Sequence, residues 1–169
     1  TTESRGTLVA VLSNPPLTAG TRTLARLELA RQVLGFESVV VANIFSIATR
    51  SSGEIAAVGK ATQGWLSARA GLEEALDSGS GTLLAYGKTE PSGAARRHHR
   101  AQVAWLADRL AERAFPVWML GDSAFHPSRW QRWKFRNAPD SSFEDALRFG
   151  LRLIPQAERS PIGPSTLPS

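Results

Sequence analysis

The chain has 169 residues, 42% hydrophobic and 21% charged, the proportions of one globular domain large enough to bury a core. It has no cysteine, which removes disulfides, iron–sulfur clusters, thiolate zinc sites and cysteine nucleophiles together. Its only histidines, His98, His99 and His126, are too few for a histidine-rich metal site. A net charge of +5 and a pI near 10.7 favour polyanionic partners. No apolar run approaches the roughly 20 residues of a membrane helix, and neither end has the basic–apolar–small pattern of a secretory leader. The expectation is a cytoplasmic protein with no cofactor, no metal and no membrane association.

Leu8 to Leu12, LVAVL, reads as the first buried strand. Ser13-Asn14-Pro15-Pro16 ends it, because two prolines forbid further strand or helix and leave Asn14 on a rigid turn. Thr21 or Thr23 can cap a helix running to about Leu34, with Leu24, Leu27 and Leu34 at helical spacing and Gly35 as the stop. Ser38 to Arg50, SVVVANIFSIATR, opens with three β-branched residues, Val39 to Val41, which predict a parallel strand covered on both faces. The first strand–helix–strand unit is expected to be a right-handed crossover. Asn43 then puts an amide with two donors and two acceptor sites at a strand's carboxyl end, where open α/β sheets bind ligands.

Thr49 to Thr62 is a Gly- and Ser-bearing connection with a short helix around Glu54 to Val58. Gln63 to Leu76 is helical, presenting Trp65, Leu66, Leu72 and Leu76, and Gly79-Ser80-Gly81 breaks it. Thr82 to Tyr86 is a third strand, ending at Gly87. A helix from Pro91–Gly93 to about Ala114 turns Val103, Leu106 and Leu110 inward. Pro116 to Leu120 is the fourth strand, and Phe143 to Leu153 a final helix. The predicted fold is a three-layer α/β/α domain with a mainly parallel sheet of about four strands, over residues 1–155. A loose Pro- and Ser-rich tail over 156–169 is expected to follow.

The strand ends now read, in order, Asn14-Pro15-Pro16, Asn43, Tyr86-Gly87 and His126-Pro127-Ser128. This series resembles the uracil-DNA glycosylase superfamily. Its members carry an Asp-Pro or Asn-Pro turn after the first strand, a base-reading Asn after a VLLLN-type strand, a Gly-ended strand and a final His-Pro-Ser loop. It is closer still to a bacterial family known as domain of unknown function 1643, with Asn-Pro-Ser, VVVNLF, a Trp-Gly strand and a terminal His-Pro-Leu-Tyr-Leu. Against that pattern this chain has one residue inserted before Asn43. The resemblance covers roughly residues 7 to 135.

The resemblance implies a uracil-DNA glycosylase-like fold and an N-glycosidase, as in DNA repair, cleaving the base–sugar bond in DNA or in a nucleoside. It implies catalytic roles for Asn14, which would orient water, and His126, which would donate to a base oxygen as a neutral electrophile. Base contacts are implied for Pro15, Asn43, Phe45 and Gly87. The chain departs from the pattern in places. Asn14, where a carboxylate is common, resembles the slower, mismatch-type branch. Arg26 and Leu27 stand where the superfamily keeps a stacking Phe, and Phe36 or Phe45 is left to take that place or to serve the core.

His126 to Arg136, HPSRWQRWKFR, holds Arg129, Arg132, Lys134 and Arg136 with no acid among them. Trp130 and Trp133 are three apart and share one face of a helical turn. Either they anchor the core while the cationic heads reach solvent, or the stretch lies over the pocket mouth. In the second case Arg129, Arg132, Lys134 and Arg136, with Ser128, hold phosphates, and Trp130 or Trp133 fills or stacks on the gap left by an extruded base, while Arg50 is either a surface cation or a phosphate clamp. The His126–Ser128 spacing is not a hydrolase triad, and G-x-S-x-G is absent. His98-His99 beside Arg96 and Arg97 reads first as a solvated helix face and second as a phosphate contact. The competing function is a non-catalytic nucleotide or nucleic-acid binding module on the same scaffold.

Overall fold

The computed structural model describes residues 5–158. Five strands form one sheet: β1 (Thr7–Leu12), β2 (Ser38–Asn43), β3 (Gly81–Leu84), β4 (Val117–Leu120) and β5 (Leu151–Leu153). Their order is β2-β1-β3-β4-β5, parallel except for the antiparallel β4–β5 pair. The first two strands are neighbours as the sequence predicts, with Leu8 opposite Val39 and Leu12 opposite Asn43.

Side chains of β1 alternate between the two helical layers, as the two-residue period of a strand requires. Val9 and Val11 join Trp65, Leu72 and Leu76 of α3 (Gln63–Ser78), and Leu106 and Leu110 of α4 (Ala95–Ala111). Leu8, Ala10 and Leu12 join Leu27 and Ala30 of α1 (Thr21–Leu34), with Trp130 of α5 (Trp130–Asn137) and Leu147 of α6 (Phe143–Gly150). A one-turn helix, α2 (Ile55–Val58), precedes α3. The architecture is thus a three-layer α/β/α domain.

Strand order also sets where a crevice opens. From β1 the chain moves outward through α1 to β2, then returns past β1 to β3 and continues to β4. The direction reverses between β1 and β3, and at such a switch point the loops leaving the two carboxyl ends diverge and open a crevice.

Four expectations need correction. Val39 to Val41 are not covered on both faces: β2 is an edge strand, and Val40 and Val41 are each 38% exposed. A run of β-branched residues specifies extended backbone but not the number of neighbours. The last helix stops at Gly150, because Leu151–Leu153 pairs with β4 and makes a fifth strand. Neither Thr21 nor Thr23 caps α1; Gly20, in the left-handed region with φ 61°, precedes it without a side-chain cap. Gln156–Glu158 forms a 3-10 turn, and the rest of the expected tail lies outside the described residues.

Candidate functional site

A cleft of about 1700 Å³ opens at the carboxyl ends of β1, β3 and β4. Asn14, Pro15, Gly87, His126 and Ser128 all line it. The turn after β1 and the loop after β2 zip together to form one wall. Ile44 and Phe45 donate their backbone N–H groups to Leu12 and Ser13, and Pro16 bridges to Thr49. Gln102, buried on α4, holds that loop from below by donating to the Ile44 and Trp65 carbonyls at 2.8 and 2.7 Å.

This zipping fixes the Asn14 amide. Its Nδ2 donates to the Ile47 carbonyl at 2.9 Å and to Thr49 Oγ1 at 2.7 Å. The Thr49 hydroxyl in turn donates to the Ser51 carbonyl at 2.7 Å. A carbonyl can only accept, so the amide cannot flip, and both of its hydrogens are used. The group left unpaired by the described residues is the Asn14 Oδ1, an acceptor held in one orientation.

His126 is fixed in the complementary sense. The backbone N–H of Ser128 donates to its Nδ1 at 3.1 Å, and the Ser128 hydroxyl lies 2.9 Å from the same atom. A backbone N–H cannot accept, so Nδ1 must carry a lone pair, and in the neutral ring the proton resides on Nε2. The charge state agrees: burial first, then the Arg129 and Arg26 guanidiniums, hold the His126 pKa below its ordinary value. Arg26 has a second task, because it donates to the Pro127 carbonyl and ties the His126 loop to α1. Trp130 locks the same loop by donating from Nε1 to the Phe125 carbonyl at 2.9 Å.

The β3 side of the cleft carries Tyr86, Gly87, Glu90 and His99. Gly87 adopts φ 101°, which side-chain-bearing residues avoid, and a Cβ there would meet nothing within 4 Å. Its backbone is therefore open to close approach. His99 is 8% exposed and packs edge-on to Trp65 and Tyr86. Its buried Nδ1 has no partner among the described residues, and desolvation keeps the ring below its ordinary pKa.

Cations crowd the rim. Arg50, Lys88, Arg129, Arg132, Arg136 and Arg152 line the cleft, against the carboxylates Glu90 and Asp122. Glu90 is already paired with Arg100 and Arg96. Among the described residues none of the six cations makes an ion pair, whereas Arg31, Arg109, Arg113 and Arg148, away from the cleft, all do.

Other expected site residues lie elsewhere. Asn43 does not line the cleft: β2 is one strand further out, and strand alternation turns its side chain away from the layer that holds Ala42. Its Oδ1 is buried without a partner among the described residues. Phe45 is fully buried against Trp65, a core residue and not a base contact. Trp130 is 0% exposed and cannot stack on a ligand. Lys134 donates to the Pro139 carbonyl at 2.9 Å and lies over Phe135, outside the cleft. Trp133 does reach the cleft wall.

Thr49, Arg26, His99, Phe149 and Arg152 were not legible as site residues. Each reaches the site through a long-range contact, and no local motif marks it. No model of a known family, no curated protein and no solved structure matches the chain.

Proposed function

We propose that the protein is an N-glycosidase that cleaves the bond between a nucleobase and its sugar, on the uracil-DNA glycosylase-like scaffold its motifs resemble. The observation that carries this reading is the presence in one cleft of a fixed acceptor and a fixed donor. Asn14 offers an orientation-locked acceptor, and His126 a neutral ring whose only N–H is on Nε2.

In the reaction the C–N bond breaks with its electron pair going to the base, leaving an oxocarbenium-like sugar. The Nε2–H of His126 donates to the base oxygen on which negative charge grows, and the fixed donor need not reorganise as it does so. Asn14 Oδ1 accepts a hydrogen from the attacking water and holds it at the anomeric carbon. An amide cannot take the proton, so the water's proton leaves to the departing base or to solvent after C–O bond formation. Pro15 and the open backbone of Gly87 flank the base. Arg50, Arg129 and Arg132 meet phosphates. With Asn43 and Phe45 outside the cleft, the two roles the resemblance implies for them pass to the cleft's own walls.

A binding module without chemistry is the second reading, favoured by the amide at Asn14 where a carboxylate would be the stronger base. Incubation with oligonucleotides and free nucleosides bearing uracil, hypoxanthine or mismatched bases, followed by detection of free base, separates the two. Release supports the glycosidase; binding without release supports the module.

A further inference from the structure

The far wall of the cleft, built by α5, α6 and β5, contains a feature that the glycosidase reading leaves unused. Phe149 is 74% exposed and lines the cleft. It stands off the stripe by which α6 reaches the core, since Ala146, Leu147 and Gly150 face inward. Its ring centroid is 6.4 Å from that of Trp133, at an interplanar angle of 37°. Trp133 is seated between two glycines. A Cβ at Gly121 would come within 2.6 Å of its Nε1, and one at Gly150 within 2.2 Å of its ring. The indole is therefore a fixed backing, with the phenyl ring open in front of it.

Three cations from two elements line the same cleft. Arg132 and Arg136 stand one turn apart on α5, about 6 Å along its axis. Arg152 comes from β5. All three line the cleft and none is ion-paired among the described residues. Three cations from two elements can hold successive phosphates of one strand, and a base paired and stacked within a duplex has no free face for Phe149.

We infer that this wall is a binding site for single-stranded nucleic acid, with one unpaired base stacked on Phe149 and backbone phosphates on Arg132, Arg136 and Arg152. The inference rests on the nucleobase reading of the cleft and commits it to a polymeric, unpaired substrate. Phe149 is exposed and its removal leaves no cavity, so Phe149→Ala folds as the parent does.

Oligothymidylate, a matched duplex and thymidine monophosphate are titrated against the intact protein, followed by anisotropy and Trp fluorescence. The single strand is expected to bind tighter than the other two. Phe149→Ala should weaken it about five- to a hundredfold without changing the salt slope. Arg132→Gln and Arg152→Gln should each lower the log-affinity against log-salt slope by about 0.7. Equal or tighter binding of duplex or mononucleotide overturns the proposal, as does Phe149→Ala binding like the parent. Strand binding that survives His126→Ala, in a protein that releases no base, supports this site while defeating the glycosidase. Base release from free nucleosides with no oligonucleotide binding does the reverse.

Discussion

Asn14 shows how a residue's chemistry is decided by what its other atoms are doing. Because Nδ2 is committed to the Ile47 carbonyl and Thr49 Oγ1, replacing it with a carboxylate oxygen sets acceptor against acceptor. Asn14→Asp, which on paper supplies the missing base, is therefore expected to cost about 1–3 kcal/mol of stability, read from urea midpoints. His126 makes a sharper prediction: in ¹⁵N NMR at neutral pH its Nε2 carries the proton and Nδ1 does not, because the Ser128 N–H points at Nδ1. Both His126 and His99 have pKa values lowered mainly by burial. Below about pH 6.5 these two groups then bind more protons in the unfolded chain than in the folded one, so their contribution to stability is level above that pH and falls as acid is added. In His99→Gln the loss between about pH 8 and about pH 5 should be smaller than in the parent, measured as the shift in denaturation midpoint.

At the scale of elements, the segment after His126 resolves into two tryptophans with opposite duties. Trp130 is fully buried and hydrogen-bonded to the loop that carries His126, so Trp130→Ala should cost about 3–5 kcal/mol and loosen the loop with it. Three-residue spacing was legible in the sequence. What it could not say is that the helix lies against the sheet with Trp130 inward, leaving Trp133 at the cleft wall. The strand β2 carries the converse lesson. Its three valines announced a strand, but only the sheet order puts that strand at the edge with Val40 and Val41 in solvent. An exposed apolar edge invites pairing with another chain. Val41→Lys is expected to change the melting temperature little while raising the concentration at which the protein aggregates, followed by light scattering.

For the whole molecule, the parallel alternation of strands and helices was legible because buried strands and amphipathic helices differ in period. That Asn14, His126, Gly87 and the arginines after His126 share one cleft was legible because each sits at or just beyond a strand's carboxyl end. Asn43 was misplaced because sharing that end does not fix how far a strand stands from the switch point. The net charge of +5 gains a location only once folded, when six cations that make no ion pair among the described residues line one cleft. The central claim is that this cleft breaks a glycosidic bond using the neutral His126 ring. Its most direct test is single-turnover release of free base from whichever oligonucleotide or nucleoside in the panel is cleaved, comparing the parent with His126→Ala. The account predicts release that falls about 10²–10³-fold in the variant, the loss typical of removing one donor to a developing anion. No free base from any substrate, or undiminished release by His126→Ala, would contradict it.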